Sequence, residues 1–267
     1  MSCFFSIITI AYNSAQTIER TLKSVLAQTY TDYEYIIVDG ASKDDTLKIV
    51  KQYEPLFEGR MKWISEPDKG IYDAMNKGIL MSSGEIIGIV NSDDWLEPNT
   101  LQILVDEISK DSDNREKILT GEMLFHYEDG RTQHYPTSFE RYEYFAKRYR
   151  MGLNHPATFV PRVIYDRIGI FDDRFKLYAD ADFIIRCYEA GVGVHFINKV
   201  LSNMSDGGAS NVRTKKELTD SLLKYKKHCK SRIEYAKYAT KARVIWFLRG
   251  FVPEWYVRWY RQRLNKK

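Results

Sequence analysis

Glu85-Ile86-Ile87-Gly88-Ile89-Val90-Asn91-Ser92-Asp93-Asp94 decides the fold. After Glu85, Ile86 to Val90 is an apolar run of strand length, and the run stops abruptly at four polar residues. A strand of this kind is buried on both faces, as in a parallel sheet covered by helices. Three earlier segments read the same way. Phe4 to Ala11 ends at Tyr12-Asn13, Tyr35 to Val38 ends at Asp39, and Met61 to Ser65 is a short third strand.

Helical spacing fills the gaps. Ile18, Leu22, Val25 and Leu26 follow Asn13-Ser14, which is read as a cap. Leu47, Ile49 and Val50 follow Asp44 or Asp45, and further helices are expected over Ile71 to Met81 and Pro98 to Ile108. The βαβαβαβα order predicts an α/β fold with a doubly wound, mostly parallel, Rossmann-like sheet. Ligands of such sheets sit beyond the carboxyl ends of the strands. Tyr12-Asn13, Asp39 and Asp93-Asp94 are therefore expected to converge on one crevice.

Beyond residue 110 the pattern is less regular. Ile118 to Tyr127 and Gln133 to Tyr135 read as an antiparallel pair around Glu128-Asp129-Gly130. Phe139 to Tyr149 and Asp180 to Ala190 read as helices, and Ala157 to Val160 and Gly193 to Leu201 as strands. One domain is expected over residues 1–212, in halves of about 1–110 and 111–212, followed by a helical extension over 213–267. The three cysteines, Cys3, Cys187 and Cys229, are far apart, which argues against a disulfide framework or a zinc site and for the cytoplasm. There is no secretory signal pattern and no apolar window of membrane-spanning length.

Each strand-end carboxylate has two readings. Asp93 and Asp94 are costly to crowd together without a cation, and Mg²⁺ or Mn²⁺ takes oxygen ligands of this type; alternatively Asp94 only caps the next helix. Asp39 can accept from an imide N–H such as that of uracil, or close an Asx-turn. Asp180 and Asp182 in a first helical turn complement the helix dipole, or one of them is a general base. The run Asp206-Gly207-Gly208-Ala209-Ser210 is a connector or a lid. His155, ahead of Pro156, has no partner at metal-ligand spacing and reads first as structural.

Several ordered segments resemble family 2 glycosyltransferases of the GT-A fold: Ile8-Thr9-Ile10-Ala11-Tyr12-Asn13, Val38-Asp39-Gly40-Ala41-Ser42-Lys43-Asp44-Asp45-Thr46 and Asn91-Ser92-Asp93-Asp94-Trp95-Leu96-Glu97-Pro98. Glu66 to Gly78, Gly169-Ile170-Phe171-Asp172 and Tyr178-Ala179-Asp180-Ala181-Asp182 resemble bacterial enzymes that build O-antigen, capsule or exopolysaccharide repeats. The resemblance spans about residues 4 to 212. It implies a nucleotide-sugar half and an acceptor half, an inverting transfer from a UDP-sugar, and a divalent metal, Mn²⁺ or Mg²⁺. It also implies roles. Tyr12 flanks the nucleobase, Asp39 bonds the uracil, and Asp68, Asp73, Asn76, Asn91 and Ser92 line the nucleotide pocket. Asp93, with Asp94, holds the metal, and Asp180 is the catalytic base. His155, Asp182, Gly207, Gly208 and Ser210 are assigned to the acceptor side or lid. The first position of the Asp-x-Asp motif is Asn91, which keeps hydrogen bonding and loses a charge.

The net charge of +4 hides an asymmetry. From Arg213 onward there are 17 Lys/Arg against 4 Asp/Glu, leaving 23 basic and 32 acidic residues before it. Ile245 to Leu264 interleaves arginines with Trp246, Phe247, Phe251, Trp255, Tyr256, Trp259 and Tyr260, interrupted at Pro253. Basic residues among aromatics describe an interfacial helix at an anionic leaflet. The expected location is therefore peripheral, at the inner face of the cell membrane, near a glycan or lipid-linked glycan acceptor. The acidic body argues against nucleic acid as a partner. Two other functions share these features. A sugar-nucleotide nucleotidyltransferase would carry a Gly-rich basic loop after the first strand, where Ala11-Tyr12-Asn13-Ser14-Ala15-Gln16 stands. A non-catalytic, membrane-associated sugar-binding protein would have no need of Asp39, Asp93 and Asp180 together.

Overall fold

The computed structural model describes residues 4–206, 215–248 and 251. The chain runs β1 (Phe5–Ala11), α1 (Ile18–Leu26), β2 (Tyr33–Asp39), α2 (Thr46–Tyr53), β3 (Met61–Ser65), α3 (Ile71–Met81) and β4 (Ile86–Ile89). It continues through β5 (Trp95–Leu96), α4 (Thr100–Lys110), β6 (Ile118–His126), β7 (Thr132–Tyr135), α5 (Phe139–Ala146), β8 (Thr158–Pro161), α6 (Arg162–Ile168), α7 (Ala179–Glu189) and β9 (Val194–Ser205). Two helices follow, α8 (Lys215–His228) and α9 (Arg232–Leu248).

The strands form one sheet in the order β3-β2-β1-β4-β8-β6-β9-β5, with β7 on β6. β1, β2, β3 and β4 are mutually parallel. β8 lies antiparallel between β4 and β6, while β6 and β9 are parallel. The chain winds outward from β1 to β3 and then returns to the other side of β1 as β4. That reversal opens a crevice between the carboxyl ends of β1 and β4.

Burial explains the apolar runs. Every residue of β1, β2 and β4 is buried, so neither sheet face tolerates alternation there. α1 covers one face with Ile18, Leu22 and Val25. On α3, a Cβ at Gly78 would collide with Ile8 of β1, so the missing side chain lets the helix seat on the strand.

Contacts divide the chain into two compact units. The first holds the sheet, with residues up to Arg174 and from Ala179 to the end of β9. The second holds Phe175–Tyr178 with α8 and α9. In it, the buried Asp220 carboxylate accepts the backbone N–H of Lys176 (2.7 Å) and Leu177 (2.6 Å), and Tyr225 stacks on Tyr238. The expected boundary at residue 212, and Gly207, Gly208 and Ser210 with it, lie outside the described residues. So does most of the aromatic tail. No helix among the described residues is long and apolar enough to cross a membrane.

The structure differs from the sequence reading in four places. α1 begins at Ile18 because Ser14 offers its carbonyl, not its side chain, to Thr17 and Ile18. α5 stops at Ala146, since Tyr149 turns to φ 56°. β9 runs on to Ser205, and its Ser202 and Asn203 pair with β5, a strand of two residues that carries no readable pattern. α6 follows Pro161 directly and is too short, at seven residues, to declare a period.

Candidate active site

The crevice is built from consecutive rows of the sheet. Ala11 pairs with Asp39, and Asp39 with Ser65, so the chain leaves β1, β2 and β3 side by side. Asp39 is fully buried, and its carboxylate accepts from the Ser42 N–H (2.9 Å), the Ser42 hydroxyl and the Ser65 hydroxyl (2.7 Å). The Asx-turn is thus present, and one acceptor position on Oδ1 is left.

The turns after β1 and β2 are interlocked. Ser42 Oγ accepts the Asn13 N–H, Thr46 Oγ1 accepts that of Ser14, and Asp44 Oδ2 accepts that of Ala15. Asn13 Oδ1 accepts the Lys43 N–H in return. Asn13 and Ala41 both hold positive φ, 50° and 61°. Asparagine tolerates this region, whereas for alanine it is strain that the surrounding bonds must hold. Between the turns, Tyr12 stands 60% exposed at the lip of the crevice.

Asp68 closes in from the next loop. A Cβ on Gly40 would strike Asp68 Oδ2, and Asp68 Oδ1 accepts the Gly70 N–H (2.8 Å). Asp73 accepts the Lys69 N–H (3.0 Å) and pairs with Lys77; that N–H first, then the lysine, holds its carboxyl below the usual range. Asn76 spends both ends of its amide on the backbone of Phe171, at 2.9 and 3.0 Å. Its part is to fasten α3 to the Gly169–Phe171 turn.

After β4 the two acidic neighbours separate. Asp94 is buried; its carboxylate accepts from Asn91 Nδ2 (3.0 Å) and faces the Ser205 N–H (3.4 Å). Burial, and then the Asp93 charge, push its carboxyl up to about 8, so it is mainly neutral at pH 7. Asp94, expected beside Asp93 as a metal ligand, turns inward and ties this loop to β9, which leaves Asp93 the more open carboxylate of the pair. Asp93 stays half-buried and receives no side-chain hydrogen bond among the described residues, and burial raises its carboxyl too. Ser92 is buried against Ser14, Oγ to Oγ at 2.8 Å.

These residues fit a hard divalent cation. Asp93 supplies one unpaired carboxylate, and Asn91 Oδ1 is a buried acceptor with no hydrogen-bond partner. Among the described residues no three His, Cys, Asp or Glu side chains cluster to hold an ion alone. Such an ion takes its remaining ligands from phosphates and water, which is the usual habit of Mg²⁺.

Asp180 opens α7 and meets α3. Tyr72 Oη donates to Asp180 Oδ1 at 3.0 Å, and the Ala181 N–H donates to the same oxygen at 2.7 Å. Oδ2 has no partner among the described residues. His155 lines a pocket together with Asp180. Asp182, two residues on, is fully buried and paired with Arg186 (2.9 Å), which in turn donates to the carbonyls of Ile168 and Ile170. It braces the turn before α7 and does not open onto the crevice.

Three contributors went unread. Arg20 of α1 lies 3.8 Å over the Trp95 ring and donates to the Asp93 carbonyl, while Ser205 Oγ donates to the same carbonyl. Arg20 sits in mid-helix, and Ser205 ends a strand that the sequence pattern carried only to Leu201, so no motif marks them. Tyr72 stood inside the Glu66–Gly78 segment, and its place in the first turn of α3 was the available signal.

A mostly parallel sheet that gathers carboxylates beyond the ends of β2, β3 and β4 (Asp39, Asp68 and Asp93), with a fourth on α7, is the GT-A glycosyltransferase fold. Residues 6–168 match the family model described as glycosyl transferase family 2, and the chain belongs to that family of enzymes. It is 29% identical over 221 residues to the PGL/p-HBAD biosynthesis glycosyltransferase of Mycobacterium bovis, covering 82% of this chain and 83% of the relative. In fold it matches residues 1–349 of Staphylococcus aureus TarS in complex with UDP-GlcNAc, with TM-score 0.67, 19% identity, and 88% and 69% of the two chains covered. It also matches GalNAc-T7 with UDP, GalNAc and Mn²⁺, with TM-score 0.67 and 17% identity over 95% of this chain and about half (52%) of that one.

Proposed function

We propose that this enzyme transfers a sugar from a UDP-sugar to a hydroxyl of a glycan or lipid-linked glycan acceptor, with inversion, in the synthesis of a bacterial surface polysaccharide such as O-antigen or capsule. The observation that carries the reading is the half-satisfied Asp180 carboxylate. One oxygen is fixed by Tyr72 and Ala181, and the other is left for the acceptor hydroxyl. An oriented carboxylate with one open oxygen is what a general base requires.

On the donor side, the exposed Tyr12 ring would flank the base, and the last acceptor position of Asp39 would take the uracil imide N–H. Asp68 and Asp73 border the same opening. The UDP complexes of TarS and GalNAc-T7, which share the fold, support this use of the crevice. Asp93, with Asn91 Oδ1, would hold Mn²⁺ or Mg²⁺, and the Mn²⁺ in GalNAc-T7 supports that. When bound, such an ion neutralises charge on the departing diphosphate. Attack of the acceptor oxygen from the face opposite the diphosphate leaves its proton on Asp180 and the anomeric centre inverted.

A membrane surface is the third partner in this proposal. Near the end of α9, Val244, Ile245, Phe247 and Leu248 are exposed, as is Phe251 at 73%, with Lys241 and Arg243 alongside. Exposed apolar residues beside cations suit the inner face of the cell membrane, where a lipid-linked acceptor would lie.

The deciding experiment is donor hydrolysis with a panel of UDP-sugars and other nucleotide-sugars, with Mn²⁺ and with EDTA. Hydrolysis of a UDP-sugar that EDTA abolishes is the expected result. If no donor is bound and EDTA changes nothing, the proposal fails.

A further inference from the structure

Beside Asp180 lies a small pocket. Ile87, Ile89, Phe171 and Phe183 form apolar sides, and His155 and Asp180 are polar members of the lining. Its volume of about 20 Å³ is room for one water. His155 Nε2 is sealed from solvent and has no hydrogen-bond partner. A buried imidazole nitrogen left this way is costly, and in folded proteins such groups are normally satisfied, often by ordered water.

The charges around the ring are few. Burial lowers the His155 pKa and the Asp180 charge acts in the opposite direction, the smaller effect, so the ring is neutral at pH 7. From α6, Tyr165 faces the pocket with a phenol that burial keeps protonated. From β8, Thr158 presents a hydroxyl already donated to the Asn154 carbonyl at 2.7 Å. That leaves a neutral nitrogen without a partner, a carboxylate, and a one-water gap in the same lining.

We propose that one ordered water bridges His155 Nε2 and the Asp180 carboxylate, and that His155 acts through it as a positioning residue for the base. The inference rests on the reading of Asp180 as general base. The water donates one hydrogen to the carboxylate. It accepts from Nε2–H, or donates its second hydrogen to Nε2, according to the tautomer. No proton moves to His155. A donor held against the ionised carboxylate favours that form and fixes its rotamer. In this proposal His155 serves the base through the water and need not touch the sugar.

The test uses the full chain. A crystal structure fine enough to place waters should show one within hydrogen-bond distance of both Nε2 and the carboxylate; a dry pocket overturns the inference. His155→Leu fills the pocket and is compared with His155→Gln, using hydrolysis of the UDP-sugar chosen by the donor panel. For the leucine variant, kcat should fall about tenfold while donor affinity stays within about twofold. The acid limb of kcat against pH should move upward by about half a unit. Glutamine, which keeps a polar end, should recover most of the loss. A lowered melting temperature with an unmoved acid limb means that His155 only supports packing, and overturns the inference. Asp180→Asn separates the two claims. If it retains kcat, the base reading itself is wrong; if it is inactive while the leucine variant keeps its limb, only the His155 inference falls.

Discussion

Tyr72 Oη donates to Asp180 Oδ1 at 3.0 Å, joining the first turns of two helices that lie 108 residues apart in sequence. The bond crosses from the segment proposed to bind the nucleotide-sugar to the helix that carries the proposed base. It fixes one carboxylate oxygen and so decides where the other points.

Tyr72→Phe should therefore damage chemistry more than binding. The ring keeps its buried contact with Phe171, 5.7 Å between centroids. Only the hydroxyl is lost, a bond to a charged group worth about 1.5–3 kcal/mol. The expected kcat is lower by about tenfold to a hundredfold, with UDP affinity by calorimetry unchanged.

Asp93 and Asp94 should respond in opposite ways to the same substitution. Asp94 is mainly neutral at pH 7, so Asp94→Asn replaces it with a near isostere and should cost under about 1 kcal/mol of stability. Asp93→Asn removes the carboxylate proposed to hold the cation. It should weaken Mn²⁺-dependent UDP binding by about a hundredfold, read by calorimetry with and without EDTA. Equal effects at both positions would contradict the assignment.

Glu34 ties the amino-terminal edge of the sheet together. It accepts from Ser6 Oγ (2.7 Å), Ser83 Oγ (2.8 Å) and Lys62 Nζ (2.6 Å). Burial alone would raise its carboxyl, but Lys62, Ser6 and Ser83 together bring it from 4.5 down to about 2. A depressed carboxyl stabilises the fold fully above the unfolded value and loses that contribution as pH falls towards 2. The effect is on the order of 2 kcal/mol, since half of Lys62 is in water. Glu34→Gln should lower stability by about that amount at pH 7, and the gap from wild type should close as pH falls from 4.5 towards 2. Chemical denaturation across that range measures it.

Removing the residues after Arg243 takes away the exposed apolar end of α9 and the basic, aromatic segment beyond it. The shortened chain should no longer sediment with vesicles containing phosphatidylserine, while its donor hydrolysis stays within about twofold. Unchanged sedimentation would reject the membrane role, each lost cation being worth about 1 kcal/mol at an anionic surface.

The parallel half of the fold was legible because burial on both faces writes itself as unbroken apolar runs, and each run ended at a polar residue that the sheet aligns. Asp39 and Asp93 could be singled out for the same reason, whereas Asp180, in a first helical turn, was marked by the family resemblance. What could not be read was orientation. Nothing in Asn91-Ser92-Asp93-Asp94 says which carboxylate turns inward, since Ser205, at the far end of β9, faces Asp94. Asp182 had the same helical address as Asp180, yet the Arg186 side chain four residues on claims it. Asn76 was read as a pocket residue because its partner is the backbone of Phe171, 95 residues away, which leaves no trace in local spacing.

The four reciprocal bonds between the turns after β1 and β2 make those turns one heritable module. Recombining either segment alone from another member of the family would strand backbone donors of its neighbour and release the alanine at position 41 from its strained turn. Attempts to retune which nucleotide the crevice accepts should therefore exchange residues 12–15 and 39–46 as a pair.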